Sequence, residues 1–293
     1  MIVSIPLHCN ISLFADDTLL WITANDLNEA IRLINADLLL ISNFLKMLRL
    51  KLNTTKTKVM IINARHQSSQ PIVVDGTIIE EVSTMKYLGV MIDNQLTFAS
   101  NIDYISKKIA KKVSLLGRLR NKINREARLT LFQTTVTPHF DFCSSILLLA
   151  NEGQFQQLQL LMNKALRIIQ KADRRTHIHS MLEATDLLDV KQRVYYNVLM
   201  LIYRAQNQLL PEYLCRQFRR LSDAQPYCLR NNHHLRPPQY LSNASQNSFV
   251  YKGALLYNEM TRQTGVTAHV CESEYRAAIK SYVKGNISSH RVL

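Results

Sequence analysis

Asp16 and Asp17 stand side by side between Leu13-Phe14-Ala15 and Thr18-Leu19-Leu20-Trp21. Two adjacent carboxylates repel each other, and a divalent cation is the usual group that compensates them. The same pair is also ordinary turn chemistry, because Asp side chains bond their own backbone there. A second set is positive. Between residues 101 and 130 nine basic residues stand against two acidic ones, Asp103 and Glu126. Among the nine, Lys107, Lys111, Arg118 and Lys122 fall within about 60° of one another at 100° per residue, so a helix would present them on one side. Such density suits a surface that contacts phosphates, each neutralised phosphate adding a salt-dependent increment to affinity. Cys215, Cys228, His233 and Cys271 lack the CxxC or HxxxH spacing of a zinc site. There is no Gly-rich phosphate loop, and spacing alone assembles no Ser-His-Asp set.

These residues need elements to position them. Ile11, Leu13, Leu19 and Trp21 suit a β-hairpin with Ala15-Asp16-Asp17 at its turn. Leu27, Ile31, Ile34, Leu38, Ile41, Leu45 and Leu48 recur at alternating spacings of four and three, one apolar helical stripe, with Asp26 and Glu29 as a capping box at its start. Leu50 to Ile62 runs from a turn into an apolar strand. Asp75-Gly76, between Ile72–Val74 and Thr77–Ile79, is a hairpin signal. Tyr87 to Asp93 reads as a single strand. From about Phe98 the pattern is helical, with Ile102, Ile105, Ile109, Val113, Leu116 and Ile123 as the apolar face opposite the basic one. Helices are predicted over about 125–136, 151–171, 187–206 and 270–284. Residues 222–248, with Pro226, Pro237 and Pro238, read as a loop.

The 293 residues carry a net charge of +14, 47% hydrophobic residues, 7 Gly and 7 Pro. That composition belongs to a folded, helix-rich protein, and the charge favours an anionic partner, nucleic acid before membrane. No apolar run reaches the ~18 residues of a membrane span. Five cysteines at wide spacings read as reduced thiols. With no recognisable signal peptide, an intracellular protein of nucleus or cytoplasm is expected.

Five segments, in order, give a more specific reading. Phe14-Ala15-Asp16-Asp17 matches the catalytic box of reverse transcriptases. Leu50-Lys51-Leu52-Asn53-Thr54-Thr55-Lys56-Thr57 matches the following Leu-x-Leu-Asn-x-x-Lys-Thr motif. Lys86-Tyr87-Leu88-Gly89-Val90-Met91-Ile92-Asp93 with Leu96-Thr97-Phe98 matches the primer-grip region. Asn163-Lys164-Ala165-Leu166-Arg167-Ile168-Ile169 resembles a helix found after the thumb, and Leu256-Tyr257-Asn258-Glu259-Met260 a segment near the end of such reading frames. The chain thus resembles the C-terminal part of a non-LTR (LINE-type, jockey-like) retrotransposon reverse transcriptase.

The resemblance implies an α+β fold: a partial polymerase palm over 1–97, a helical basic thumb with following helices over 98–221, and a loop-rich tail with a terminal helix over 222–293. It implies RNA-templated DNA synthesis with Mg²⁺ or Mn²⁺ held at Asp16 and Asp17. Phe14 would pack beneath the turn, Lys56 would lie near the nucleotide phosphates, and Tyr87, Leu88 and Gly89 near the primer end. Lys107, Lys111, Arg118 and Lys122 would hold the RNA template and DNA primer as an RNA–DNA duplex. The family also uses a carboxylate and basic finger residues well upstream of the Asp-Asp turn. Here Asp16 is the first acidic residue and Arg32 the first Lys or Arg. The expectation is therefore a polymerase fragment inactive alone, the alternative being a non-catalytic nucleic-acid-binding module built on the basic helices.

Overall fold

A computed structural model describes residues 6–62, 70–223, 232–239, 246 and 248–286. Cys228 and most of the loop read over 222–248 lie outside them. The architecture is α+β, with helices dominant and short two-stranded sheets, and it divides into two compact units, 1–96 and 97–293.

In the first unit, β1 (Asn10–Phe14) and β2 (Asp17–Trp21) pair antiparallel, with Phe14 opposite Asp17 and Asn10 opposite Trp21. That register puts Leu19 and Trp21 on one face and Ile11 and Leu13 on the other, since directly opposed residues share a face. Helix α1 (Leu27–Met47) starts at Asp26, whose carboxylate accepts from the amides of Asn28 and Glu29. Only half of the expected capping box forms, because the Glu29 carboxylate turns to Arg32 instead. Ile31 and Leu38 from the predicted stripe join Ile72, Val74 and Ile79 in a small core. Leu48 falls outside that stripe; it follows the last helical turn and is exposed.

The Asp75-Gly76 hairpin, β4 (Val73–Val74) with β5 (Thr77–Ile78), is tied to α1 by side chains. Asn35 bonds the backbone of Pro71 and Val73, and Ser42 and Lys46 both donate to the Asp75 carboxylate. The expected strand through Ile62 shortens to β3 (Lys58–Val59), which pairs parallel with β6 (Glu80–Glu81). The expected single strand over Tyr87–Asp93 is instead a hairpin, β7 (Thr84–Tyr87) with β8 (Val90–Asp93). Leu88 and Gly89 both take positive φ, 44° and 88°, the signs that a tight two-residue loop requires.

The second unit is built on one contiguous helical core. Its helices are α2 (Ala99–Arg118), α3 (Arg125–Thr135), α4 (Thr137–Asp141), α5 (Ser144–Leu147), α6 (Glu152–Gln170), α7 (Ile178–Glu183), α8 (Val190–Gln206), α9 (Glu212–Cys215), α10 (Phe249–Thr264) and α11 (Glu272–Asn286). Capping boxes open α6 (Asn151/Gln154) and α8 (Asp189/Gln192). Helix α8 buries residues on nearly every face, because α4, α5, α6, α10 and α11 all pack on it. Sequence periodicity misses α10. Gly253 lies in its second turn, facing the Ile202 side chain of α8, and it weakens the helical signal there. The Tyr257-Asn258 pair is structural: Tyr257 Oη accepts from the Ala268 amide, and Asn258 bonds both backbone groups of Leu235.

Candidate functional site

Ala15 and Asp16 form the two-residue loop of the first hairpin, with Ala15 at φ +53° and Asp17 starting the returning strand. Both carboxylates are exposed, and neither meets a cation or a hydrogen-bond donor among the described residues. Phe14 does not pack beneath the turn. It is 63% exposed, beside Leu13 at 44% and Trp21 at 45%, because β1 and β2 pair only with each other.

What holds the hairpin is a residue that sequence reasoning passed over. Asp37, on α1 and 0% exposed, accepts from the backbone amides of His8 (3.2 Å) and Cys9 (2.7 Å) and from the His8 ring Nδ1 (2.9 Å). Burial would raise its carboxyl pKa, but these donors together hold it below the ordinary aspartate value. Burial next to that carboxylate pushes the Cys9 thiol up to about 12, so it stays protonated. The available signal was an acidic residue inside an otherwise apolar helical stripe.

Lys56 lies in a turn organised by Asn53, whose carboxamide oxygen accepts from the Lys56 amide and the Thr55 hydroxyl, while its backbone carbonyl accepts from Thr57. The Lys56 side chain is exposed. Tyr87, Leu88 and Gly89 occupy the tip of the β7–β8 hairpin. The Asp-Asp loop and this tip belong to separate two-stranded sheets, so the described residues bring them into no common sheet.

On α2 the expected apolar face is buried from Ile102 to Leu116. Lys107, Lys111 and Arg118 are exposed, within about 40° of one another around the helix axis. Lys122 does not belong to that stripe: α2 ends at Arg118, and Lys122 lies exposed in the turn that follows. Other cations of the cluster serve the fold. Lys112 donates to the Thr135 carbonyl, Arg125 to the Ala184 carbonyl, and Lys108 lies over the Tyr104 ring. Arg128 is 4% exposed, its guanidinium spent on the carbonyls of Ile169, Arg120 and Ile123. The set of cations left exposed and uncommitted is therefore smaller than the charge count suggests.

The fold adds what the count leaves out. Helices α2 and α6 run side by side in the same direction, Gln157 bonding Asp103 at one end and Gly117 lying against Ile168 at the other. Between them is an open cavity of about 660 Å³ whose lining includes Lys107 and Asp103 of α2 and Leu160, Leu161 and Lys164 of α6.

Curated relatives match about half of the chain. The chain is 27% identical over 172 residues to "Probable RNA-directed DNA polymerase from transposon BS" of Drosophila melanogaster, covering 56% of this chain and 19% of that protein. It is 24% identical over 144 residues to "Probable RNA-directed DNA polymerase from transposon X-element" of the same organism, covering 47% and 16%. A "Retrovirus-related Pol polyprotein from type-1 retrotransposable element R1 2" of Nasonia vitripennis is 26% identical over 141 residues, covering 45% and 34%. The chain is similar to the RNA-directed DNA polymerases of non-LTR retrotransposons. It spans less than a fifth of the length of the first two. No family model and no solved structure matches it.

Polymerases of this kind generally use divalent metals. Among the described residues no three His, Cys, Asp or Glu side chains are placed to share a metal ion. Asp16 and Asp17 by themselves offer too few placed oxygens for Mg²⁺, which needs near-octahedral coordination. As a donor set the two carboxylates are incomplete, and a Mg²⁺ site here would need further oxygens. No described helix is long and apolar enough to cross a membrane.

Proposed function

We propose that this chain carries part of the machinery of a non-LTR retrotransposon reverse transcriptase: the Asp-Asp hairpin of its palm and a basic helical surface, the thumb, that grips the template-primer duplex. The observation that supports it best is Phe14-Ala15-Asp16-Asp17 exposed at the tip of a tight hairpin, in a chain similar to RNA-directed DNA polymerases. In this reading Asp16 and Asp17 are two ligands of a Mg²⁺ or Mn²⁺ site whose further carboxylate these residues do not supply. Lys56 belongs with the nucleotide phosphates, Tyr87, Leu88 and Gly89 with the primer end, and Lys107, Lys111 and Arg118 with the duplex backbone.

Primer extension tests the catalytic half. Purified chain with primed RNA, deoxynucleotides and Mg²⁺ is expected to add no nucleotides; extension that Asp16→Asn abolishes would show that a complete site lies within these residues. Binding tests the other half. Affinity for an RNA–DNA hybrid is expected to fall by roughly two orders of magnitude between 50 and 200 mM salt, as for about four neutralised phosphates. Absence of binding at low salt would remove the polymerase reading of the basic helices.

A further inference from the structure

Where α2 and α6 end together, a second cavity of about 490 Å³ opens, lined by Arg120, Lys164, Arg167 and Arg174 with Ile168 and Ala172. No carboxylate lines it, and none of its four cations forms an ion pair among the described residues. The Arg167 Nε is buried and without a hydrogen-bond partner, although its Nη2 donates to the Arg174 carbonyl at 3.4 Å.

Cations often gather at helix C-termini to oppose the helix dipole. Here Arg128 already sits inside that end of the fold, on the Ile169 carbonyl of α6 and the carbonyls of Arg120 and Ile123 in the turn after α2, so the four outer cations come in addition to it. The four outer cations repel one another, and no carboxylate among the described residues lines the cavity to offset them. Three are guanidinium groups, whose planar fork matches phosphate oxygens bidentately. The apolar lining is Ile168 and Ala172, with no aromatic ring on which a base could stack.

We propose that this cavity is a phosphate-binding site that takes the sugar-phosphate backbone of a nucleic-acid strand without reading its bases. It deepens, and rests on, the reading of the second unit as a nucleic-acid surface. Lys164 lines both this cavity and the one that contains Lys107, so the strand would follow the α2–α6 groove over roughly 20 Å, the rise of α2 from Lys107 to its end and the turn beyond.

The test compares the full chain with Arg167→Gln/Arg174→Gln, with a charge-matched control, Lys280→Gln/Lys284→Gln on α11, and with Lys107→Gln/Lys111→Gln. Circular dichroism checks that each is folded. By fluorescence anisotropy on a labelled RNA–DNA hybrid, and on the single strand of the same length, the cavity variant is expected to bind about tenfold more weakly at 0.1 M salt. Its salt slope should fall by about 1.5, as for two lost phosphate contacts, while the control changes less than twofold. Equal losses in cavity variant and control would overturn the site, as would a loss confined to Lys107→Gln/Lys111→Gln, an outcome that leaves the nucleic-acid reading standing. Equal effects on hybrid and single strand would assign the site to one strand; an effect on the hybrid alone would assign it to the duplex. A second readout does not depend on nucleic acid. At constant ionic strength, inorganic phosphate is expected to raise the melting temperature of the wild type and not of the cavity variant. An equal rise in both would overturn the site even if the hybrid binds.

Discussion

The two units hold their chemically interesting residues in opposite ways. In residues 1–96 the carboxylates stand on a two-stranded hairpin with Leu13, Phe14 and Trp21 turned to solvent, over a core reduced to Ile31, Leu38, Ile72, Val74 and Ile79. In residues 97–293 the basic side chains project from helices whose inner faces join one continuous core. A two-stranded ribbon is marginal by itself, so the hairpin depends on a few polar ties to α1, whereas α2 and α6 are fixed by packing along their whole length. The comparison teaches that site precision and site exposure come from different sources here: buried polar pins in the first unit, apolar packing with one buried guanidinium in the second.

The largest test of that contrast is Arg128→Met. It keeps the buried volume but leaves the carbonyls of Arg120, Ile123 and Ile169 without their donor. At about 1 kcal/mol or more for each unsatisfied group, the second unit should lose about 3 kcal/mol. That is about 10 °C in melting temperature for a unit of some 200 residues, followed by far-UV circular dichroism. Arg128→Lys should rescue little, because an ammonium cannot span the same carbonyls. A loss below about 2 °C would mean that the guanidinium is not the tie between the two helix ends.

The corresponding cut in the first unit is Asp37→Asn, which replaces one acceptor oxygen with an NH₂ group facing amide donors. Removing a buried charged acceptor of this kind costs about 2 kcal/mol. Faster hydrogen exchange at the amides of His8, Cys9 and the β1–β2 ladder should report it, with exchange in α8 unchanged. The pH dependence has a fixed sign. The folded carboxyl lies below the ordinary value of 3.8, so its contribution is full above that value and is lost as pH falls below it. Equal acceleration in α8 would break the separation of the two units.

Much of this was legible in the sequence. The alternating apolar residues around Asp16-Asp17 specify the hairpin, and Asp75-Gly76 specifies the next. The 3.6-residue periods of α1, α2 and α6 survive in the structure because each buries one apolar face, whereas α8 is packed on nearly every side. The failures are physical. Leu88-Gly89 hid a turn inside an apolar run, since leucine is a poor indicator of positive φ. Charge counting could not tell buried Arg128 from exposed Lys107, because burial is set by α3 and α6 meeting far apart in sequence. For the same reason Lys164, Arg167 and Arg174 could not be placed beside α2 from periodicity.

A smaller test concerns the loop at the tip of the Asp-Asp hairpin. Ala15 pays a steric penalty at φ +53°, so Ala15→Gly should stabilise the hairpin by about 0.5–1 kcal/mol net of the added unfolded-state entropy. Slower exchange of the Phe14 and Asp17 amides would show it. Unchanged or faster exchange would mean that the loop is not strained, and that the first unit is limited by its ties to α1 alone.

The smallest effect is expected at the surface of the second unit, where Asp186 accepts from Lys280 (2.6 Å) and Lys284 (2.8 Å) of α11. The two ammonium groups bring its carboxyl down to about 2, yet it is exposed, so solvent and salt screen the interaction. Asp186→Asn should lower the melting temperature at neutral pH by no more than about 2 °C, and less as salt is added. Because the folded value is depressed, the wild-type advantage is present above pH 3.8 and closes as pH falls from there toward 2. A loss as large as that from Arg128→Met would erase the distinction drawn above, since a surface ion pair would then rival a buried guanidinium in holding the helices that carry the basic groove.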